Sequence, residues 1–272
     1  ARAVDVGDNH ETGAPGPLFA VDRSSPAARL LQPANLSGGQ SFPVISGTAG
    51  EGLGPADAGI VRSTHVQVAI QRLDDLRCWT GVTWQAAGCH PLWRNADFVG
   101  HSSGTWTYAS VPSPADLTSG VNYLVLSRAM DNTLPPPGNT QTDFAAGISS
   151  SVFFVDNTSG TAAISFPEEG MQRSAVSLAS GTVTDEFSGV AGVVLTISYE
   201  TGGDTWYWDG AWSSPTVRSV LGPAGTPGAL SSSWSYTGLS AAWESGNVYR
   251  FEACAMDQAG NTQETGCPAV EW

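Results

Sequence analysis

The segment at residues 100–104 contains the Gly-x-Ser-x-Gly pattern, in which a nucleophilic serine lies on a sharp turn between a strand and a helix. The α/β-hydrolase fold, to which this pattern belongs, requires a catalytic histidine later in the sequence than the serine, but His101 is the last of the four histidines in the chain. The residues that follow, 105–108, are typical of a strand rather than a helix. We therefore predict a turn at Ser102, and we predict that the chain is not an enzyme.

The cysteines offer a second possible chemistry. Cys78, Cys89, His90 and His101 could be drawn as a zinc site, but ten residues separate each like pair, which is not a standard zinc-finger spacing. Close pairing in an acidic, strand-rich chain favours disulfides in an oxidising, extracellular compartment, with free thiols as the alternative. The predicted disulfides are Cys78 with Cys89 and Cys254 with Cys267.

The charge of the chain excludes several classes of partner. The net charge is −14, and all 11 basic residues are arginines. Such a surface disfavours nucleic acid and anionic membranes as partners, whereas divalent cations are natural counter-ions. No run of 18 apolar residues occurs, so we expect no membrane insertion.

A repeat organises the chain. Arg2-Ala3-Val4-Asp5 recurs as residues 128–131 and 254–257, and 126 residues separate successive aspartates. Each copy leads through an asparagine-containing turn to an apolar segment, at residues 19–22, 153–156 and 268–271. A period above 100 residues indicates repeated domains rather than a solenoid. The matched pairs in the domain body are Gly47-Thr48 with Gly181-Thr182, 66–70 with 194–197, 78–84 with 207–212, and 105–108 with 233–236.

Two tyrosines support a more specific assignment. Residues 117–131 and 243–261 share a large apolar residue, a glycine three positions later and Tyr123 or Tyr249 three positions after that. This pattern resembles the tyrosine corner of immunoglobulin-like and fibronectin type III sandwiches. Together with the Ala-x-Asp-x-x-Gly-Asn ending of the second repeat, it resembles the bacterial Ig-like repeats that build giant surface adhesins and extracellular stalks.

The resemblance implies an all-β fold of tandem immunoglobulin-like antiparallel β-sandwiches. We place the first sandwich at residues 19–152 and the second at 153–272. Residues 1–18 are then the closing strand of a preceding repeat, or a strand donated to a neighbour. The chain begins without methionine, and we expect a mature product or a fragment of a longer array.

The resemblance also implies calcium at the domain junctions, since repeats of this kind are often stiffened in that way. Carboxylate and carbonyl oxygens suit Ca²⁺, although no cofactor is required by the sequence. The alternative is that each aspartate caps its own turn. The candidate ligands at the domain ends are Asp5, Asp22, Asp131, Asp156 and Asp257.

Aromatic residues cluster near one turn of each repeat, where they could form a flat sugar-binding platform. Their recurrence in both repeats favours packing in the core instead. The residues concerned are Trp79, Trp84, Trp206, Trp208 and Trp212.

We therefore expect a structural repeat of an extracellular fibre, stalk or surface adhesin, arranged head to tail with adjacent repeats or with copies of itself. One alternative is an aromatic-lined carbohydrate-binding module of a secreted protein, with surface glycans as partners. Another is a filament subunit that polymerises by strand donation through residues 1–18.

Overall fold

The structure is a computed structural model that describes residues 22–51, 65–86, 89, 91–133, 138–213, 219–222, 228–239 and 243–272. Asp5 and residues 1–18 lie outside this part of the chain, and so do residues 19–21. The described residues form β strands and one short 3₁₀ turn, Pro114–Asp116. No helix among them is long and apolar enough to cross a membrane.

The first half of the chain forms a four-stranded sheet in the order β1-β3-β9-β8 and a second sheet in the order β2-β11-β10-β4-β5-β6, with β7 also paired to β4. Strand pairs are antiparallel except β2 with β11, which is parallel. The strands are β1 (Ala27–Gln32), β2 (Ser37–Gly39), β3 (Ile45–Gly50), β4 (Val66–Arg72), β5 (Cys78–Trp79), β6 (Trp84–Gln85), β7 (Arg94–Asn95), β8 (Asp97–Gly100), β9 (Ser103–Tyr108), β10 (Val121–Ala129) and β11 (Ser150–Val155).

The second half repeats this plan. A three-stranded sheet has the order β12-β13-β18, and a second sheet has the order β16-β15-β14-β19-β20, with β17 paired to β14; all pairs are antiparallel. The strands are β12 (Thr161–Phe166), β13 (Ala179–Thr184), β14 (Val190–Thr201), β15 (Asp204–Trp208), β16 (Trp212–Ser213), β17 (Ser219–Gly222), β18 (Ser231–Tyr236), β19 (Tyr249–Asp257) and β20 (Ala269–Glu271).

Each half buries its own apolar core between its two sheets, and we call the halves the first and the second sheet pair. The burial follows the period of two expected for a strand with one covered face. In β19, Phe251 and Ala253 are fully buried, while Arg250, next to Phe251 in the sequence, faces the other way and is exposed. The predicted all-β class with antiparallel sheets is confirmed.

The expected boundary between residues 152 and 153 needs correction. Phe153 and Val155 belong to β11, pair with Tyr123 and Val121 of β10, and pack in the first core. A cut before Phe153 would therefore remove half of a strand from the first sheet pair. The first pair ends after Val155, and the second begins with β12 at Thr161.

A tryptophan packed on a glycine is repeated in both pairs. Trp106 and Trp234 are almost completely buried, and each indole lies against a glycine of the neighbouring strand, Gly47 or Gly181. The indole N–H of Trp106 donates to the carbonyl oxygen of Thr48 at 3.0 Å. The glycines are required because a side chain would occupy the space of the ring.

We predict that Gly181→Ala destabilises the second sheet pair by about 1–3 kcal/mol or more, as expected for an overpacked core. An added Cβ would overlap the carbonyl oxygen of Ala163 and lie 2.9 Å from Cε2 of Trp234. Thermal and denaturant unfolding would measure the loss. The control is Gly39→Ala, whose Cβ would meet no atom nearer than 3.5 Å; equal stability of the two variants would contradict the prediction.

Candidate functional site at the ends of the sheet pairs

Three carboxyl groups meet at the start of the second sheet pair. Asp156 follows β11, Asp185 follows β13 and Asp257 ends β19. All three residues are buried, at 0%, 6% and 2% exposure. Carboxylate oxygens of the three lie within 4.8 Å of one another. We call this group the junction cluster.

Each carboxylate of the junction cluster also holds a turn. Asp156 accepts the backbone N–H and hydroxyl of Thr158 on one oxygen and the N–H of Ser188 on the other, at 2.9–3.0 Å. Asp185 accepts the N–H of Phe187 at 3.1 Å and of Gly189 at 2.7 Å. Local donors of this kind satisfy much of the hydrogen-bonding capacity of a buried carboxylate.

The third carboxylate fastens the closing hairpin to the entry segment. Asp257 accepts the backbone N–H of Asn261 at 2.7 Å and its side-chain amide at 2.6 Å. The same amide donates to the carbonyl oxygens of Asp156 and Thr158, both at 3.1 Å. The Asn261 side chain therefore joins the end of the second sheet pair to its beginning.

The first sheet pair contains the equivalent group, formed by Asp22, Glu51 and Asp131. Asp131 accepts the backbone N–H of Asn139 at 2.8 Å and its side-chain amide at 2.7 Å. That amide also lies 3.4 Å from the carbonyl oxygen of Asp22. We call the hydrogen-bonded pairs Asp131 with Asn139 and Asp257 with Asn261 the aspartate–asparagine clamps. The clamp is present in both sheet pairs, although the loop between its two residues is longer in the first.

A glutamine two residues after each clamp asparagine adds a further link. Gln141 accepts the N–H of Ala28 on its side-chain oxygen at 2.8 Å. Gln263 does the same for Ala162 at 3.3 Å and for Ala255 at 3.4 Å. In both pairs the backbone N–H of the glutamine also donates to the strand that precedes the clamp, Gln141 to Ala129 at 3.0 Å and Gln263 to Ala255 at 2.9 Å, so the glutamine ties that strand to the first strand.

The two clamp aspartates differ in their electrostatics. Burial raises the pKa of Asp257, and the nearby carboxylates of Asp156 and Asp185 raise it further, whereas Asn261 acts in the opposite direction. Burial also acts to raise the pKa of Asp131, but hydrogen bonds from Thr133 and Asn139 outweigh it and hold the pKa below its usual value.

The junction cluster fits a divalent cation in the chemistry of its donors. Three carboxylates converge, and the carbonyl oxygens of Asp156 and Thr158 lie beside Asn261 at the same place. Hard oxygens of this kind are the ligands that Ca²⁺ prefers. A cation would also relieve the mutual repulsion that raises the pKa of Asp257.

Four of the five predicted metal ligands therefore converge, in two groups. Asp22 and Asp131 lie together, as do Asp156 and Asp257. Glu51 and Asp185, which complete the groups, were not predicted. The repeat carried a signal for them, since each acidic residue lies four positions after the glycine of its Gly-Thr pair.

The two predicted tyrosines have the geometry of a tyrosine corner. Tyr123 and Tyr249 are buried at 0% and 2% exposure. The hydroxyl of Tyr123 accepts the N–H of Thr118 at 3.0 Å, and that of Tyr249 accepts the N–H of Glu244 at 2.7 Å. Burial raises the pKa of Tyr123, which keeps its hydroxyl protonated.

The tryptophans expected as a possible sugar platform are packed in the cores instead. Trp79 and Trp208 are each 3% exposed. Trp84 and Trp212 pack edge-on against them, at 5.2 Å and 5.4 Å between ring centroids, and Trp206 also packs against the second core. This packing favours a core role for these tryptophans over a sugar platform.

Both predicted cysteine pairs are disulfide-bonded, which removes Cys78 and Cys89 as zinc ligands. Cys254 lies on the half-buried outer face of β19, between inward-facing Ala253 and Ala255. The segment around Ser102 is the exposed turn of the β8–β9 hairpin. Disulfides are compatible with an oxidising, extracellular location.

Comparisons with known proteins find similarity among solved structures. The sequence matches no protein-family model and no curated protein sequence. Among solved structures, the chain is similar to one described as "Structural insight into host cell surface retention of a 1.5-MDa bacterial ice-binding adhesin", with 16% identity over 92% of this chain and a TM-score of 0.34. The chain spans 64% of the length of that structure.

We predict that Tyr123→Phe and Tyr249→Phe each lower the free energy of unfolding by about 1–3 kcal/mol, because each leaves a backbone N–H without its acceptor. Denaturant unfolding would measure the loss. Tyr207→Phe is the control, since its half-buried hydroxyl makes no hydrogen bond to another described residue. Losses no larger than that of the control would argue against the corner.

We also predict opposite pH dependence for the two clamp aspartates, measured in chelator. Because the pKa of Asp257 is raised, this group stabilises the fold at pH values below its pKa in the unfolded chain, about 3.9. That stability is lost as the pH rises through its pKa in the folded protein. Because the pKa of Asp131 is lowered, this group stabilises the fold at pH values above its pKa in the unfolded chain, and that stability is lost as the pH falls through its pKa in the folded protein.

The variants Asp131→Asn and Asp257→Asn test this directly. At neutral pH, Asp131→Asn should have a free energy of unfolding about 1–3 kcal/mol below that of the wild type. This difference should shrink as the pH is lowered. The stability of Asp257→Asn relative to the wild type should instead improve as the pH rises through the folded pKa of Asp257. Parallel pH profiles of the two variants would contradict the assignment.

Proposed function

We propose that this chain is a structural segment of an extracellular fibre, stalk or surface adhesin. In this proposal its two sheet pairs are immunoglobulin-like or fibronectin type III-like repeats joined head to tail. The chain has no catalytic role, and its function comes from length and stiffness. Its partners are adjacent repeats or copies of itself.

The observation that carries the proposal is the absence of a free linker between the described sheet pairs. β11 ends at Val155 and β12 begins at Thr161. Within the connecting residues, the N–H of Asp156 donates to the carbonyl oxygen of Gly39 in the first pair at 3.1 Å. The carboxylate of the same residue accepts Ser188 of the second pair. One residue is thus fixed to both pairs, which favours a stiff junction.

Side chains on either side of the junction add to this connection. The ring of Phe187 lies directly on Gly120, whose Cα hydrogens leave room for it. Ser119 and Asn157 exchange two hydrogen bonds, one of them from the Asn157 N–H at 2.8 Å. Contacts of this kind restrict the angle between neighbouring domains, a property that a spacer needs and a flexible linker lacks.

Calcium at the junction cluster belongs to the same proposal. Asp156, Asp185 and Asp257 would hold the ion, which would neutralise three buried carboxylates and lock the connecting segment. Nothing in the proposed structural function requires a further cofactor. The carbohydrate-binding alternative is less favoured, because its tryptophans pack in or against the two cores.

We predict that Phe187→Ala broadens the distribution of angles between the sheet pairs without unfolding either one. Removal of the ring deletes the contact with Gly120 but leaves both cores intact. Small-angle scattering would measure the change in maximum dimension and flexibility. Phe144→Ala is the control, because that exposed ring stacks on Trp93 in the first pair, away from the junction. Unchanged scattering of Phe187→Ala would overturn the stiff-junction proposal.

We further predict that chelation lowers the melting temperature and loosens the junction in the wild type, and that Asp185→Asn abolishes this response. Differential scanning calorimetry and scattering, with Ca²⁺ and with chelator, would measure both effects. Asp204→Asn, an exposed residue in β15, is the control and should respond as the wild type does. Identical curves for the wild type in Ca²⁺ and in chelator would leave the carboxylates as turn caps.

A further inference from the structure

A group of stacked side chains lies on the outer face of the first sheet pair. Arg128 of β10 faces away from the core, since its neighbours Ser127 and Ala129 are fully buried. Its guanidinium lies over the ring of Trp93, 4.2 Å from the centroid. Trp93 is also stacked against Phe144, at 5.6 Å between ring centroids, and Phe144 is 38% exposed. With two polar residues of the same face they form the outer-face cluster, which consists of Gln67, Trp93, Asn95, Arg128 and Phe144.

One glutamine holds the polar part of the outer-face cluster. Gln67 of β4 pairs with both Arg128 of β10 and Asn95 of β7. Nε and Nη2 of Arg128 donate to Oε1 of Gln67 at 2.9 Å and 2.7 Å. Nε2 of Gln67 donates to Oδ1 of Asn95 at 3.0 Å. Two hydrogen bonds and the ring of Trp93 therefore fix the orientation of the guanidinium.

The same hydrogen bonds decide which atoms are left for a ligand. A guanidinium can only donate, so the Gln67 atom that it contacts must be the amide oxygen. The amino group of Gln67 must then face the oxygen of Asn95, which leaves the amino group of Asn95 directed elsewhere. No described residue accepts a hydrogen bond from that amino group or from Nη1 of Arg128. The cluster therefore uses its acceptors internally and offers donors to a ligand.

The charge of Arg128 has no counter-ion in the described part of the chain. No carboxylate there forms an ion pair with it, and its hydrogen-bond acceptor is the neutral oxygen of Gln67. Burial lowers the pKa of Arg128, although a guanidinium stays protonated at neutral pH. Charges withdrawn from water are normally paired. The component that this cluster lacks is therefore an anionic acceptor.

The second sheet pair shows that the fold does not require this network. The corner tyrosines and the strand pairings align β4, β7 and β10 with β14, β17 and β19. At the aligned positions the second pair has apolar residues and a disulfide-bonded cysteine: Val194 for Gln67, Leu221 for Asn95 and Cys254 for Arg128. The polar network is thus specific to the first pair.

An insertion places the exposed ring beside this network. The loop that carries Phe144 begins after Gln141 and ends before Ser149. Its counterpart begins after Gln263 and ends before Pro268, whose carbonyl oxygen accepts a backbone N–H of β19 as that of Ser149 accepts one of β10. The loop of the first pair is three residues longer. Three strands and a loop therefore differ together at one place, which favours a binding site over a packing requirement.

These features define the chemistry of the ligand. A guanidinium binds a carboxylate through two parallel hydrogen bonds, and the free donors of Arg128 and Asn95 suit such a group. The exposed ring of Phe144 suits an apolar surface next to the carboxylate. In a uronic acid the carboxylate is attached to the sugar ring, so the charge and the C–H face of the ring have a fixed separation. A flexible acidic side chain of a peptide has no such rigid face.

We infer that the outer-face cluster binds a sugar residue that carries a carboxylate, within an otherwise neutral glycan. The carboxylate pairs with Arg128 and Asn95, and the C–H face of the sugar contacts Phe144. The net charge of −14 disfavours a polyanionic glycan, as it disfavours nucleic acid. The site goes beyond the proposed structural function and does not depend on it. It also uses none of the tryptophans of the predicted sugar platform.

Saturation-transfer NMR of the full chain with glucuronate and with glucose tests the carboxylate requirement. The two sugars differ at one carbon, which is a carboxylate in glucuronate and a hydroxymethyl group in glucose. We expect transfer to the ring protons of glucuronate, and binding of glucose that is weaker by about tenfold or more. The affinity for glucuronate should fall as the salt concentration rises, because the contact is ionic.

The variant Asn95→Asp tests the donors without breaking the network. It keeps the oxygen that accepts Gln67 and replaces the free amino group by a carboxylate oxygen, so the affinity for glucuronate should fall by about tenfold or more. Asn122→Asp is the matched control: it adds the same charge at an exposed residue near the other end of β10 and should leave binding unchanged. Melting temperatures of both variants would show that they are folded.

Two further variants assign the other contacts. Arg128→Lys keeps the charge but removes the planar fork, so it should weaken the binding of glucuronate. Phe144→Ala should abolish the transfer to the ring protons of the sugar, because it removes the ring that transfers magnetisation to them.

Every other outcome counts against the inference. Equal binding of glucose and glucuronate would overturn the carboxylate requirement, and no transfer to glucuronate would overturn the site. Full binding by Asn95→Asp would exclude the proposed donors. Tighter binding of N-acetylglutamate than of glucuronate would assign the site to an acidic peptide instead of a glycan. None of these results affects the scattering test of the junction, so this inference and the proposed function fail separately.

Discussion

The hydrogen bonds of the Asn261 side chain are the constraint on which the second half of the molecule depends. One amide group contacts the carboxylate of Asp257 and the carbonyl oxygens of Asp156 and Thr158. It fixes the residues that enter the sheet pair against the hairpin that closes it. Because Asp156 is also bonded to Gly39, that constraint reaches the first sheet pair, and the orientation of the junction follows from it.

The same clamp has a different electrostatic setting in each half. In the second pair all three carboxylates are buried, so their charges raise the pKa of Asp257. In the first pair Asp22 and Glu51 are only partly buried, and local donors dominate at Asp131. Buried charge is costly without compensation. Two copies of one motif can therefore share a structural role and differ in their response to pH and to cations.

The sequence predicted those features that depend on local chemistry or on alternation along one strand. The corner tyrosines, the cysteine pairs and four of the clustered aspartates could be identified because each has a short motif that recurs. The alignment of the last strand could not be predicted. The repeat matched residues 153–156 with 268–271, whereas Tyr123 pairs with Phe153 and Tyr249 pairs with Trp272. A period of two looks the same after a shift of two or four residues, and the loops before Phe153 and Trp272 differ in length. The side chains of Asn35 and Glu169 accept the backbone N–H groups of Val152 and Glu271 and so mark the register there, but neither residue type signals it.

The parallel pairing of β2 with β11 has a mechanical consequence. Tension applied along the chain reaches β2 from its amino end and β11 from its carboxyl end. Since the strands are parallel, those ends lie at opposite ends of the pair. A stretching force then shears the pair, and its hydrogen bonds carry the load together instead of breaking one after another. The short strand that completes the sheet is thus placed where it resists extension of the chain.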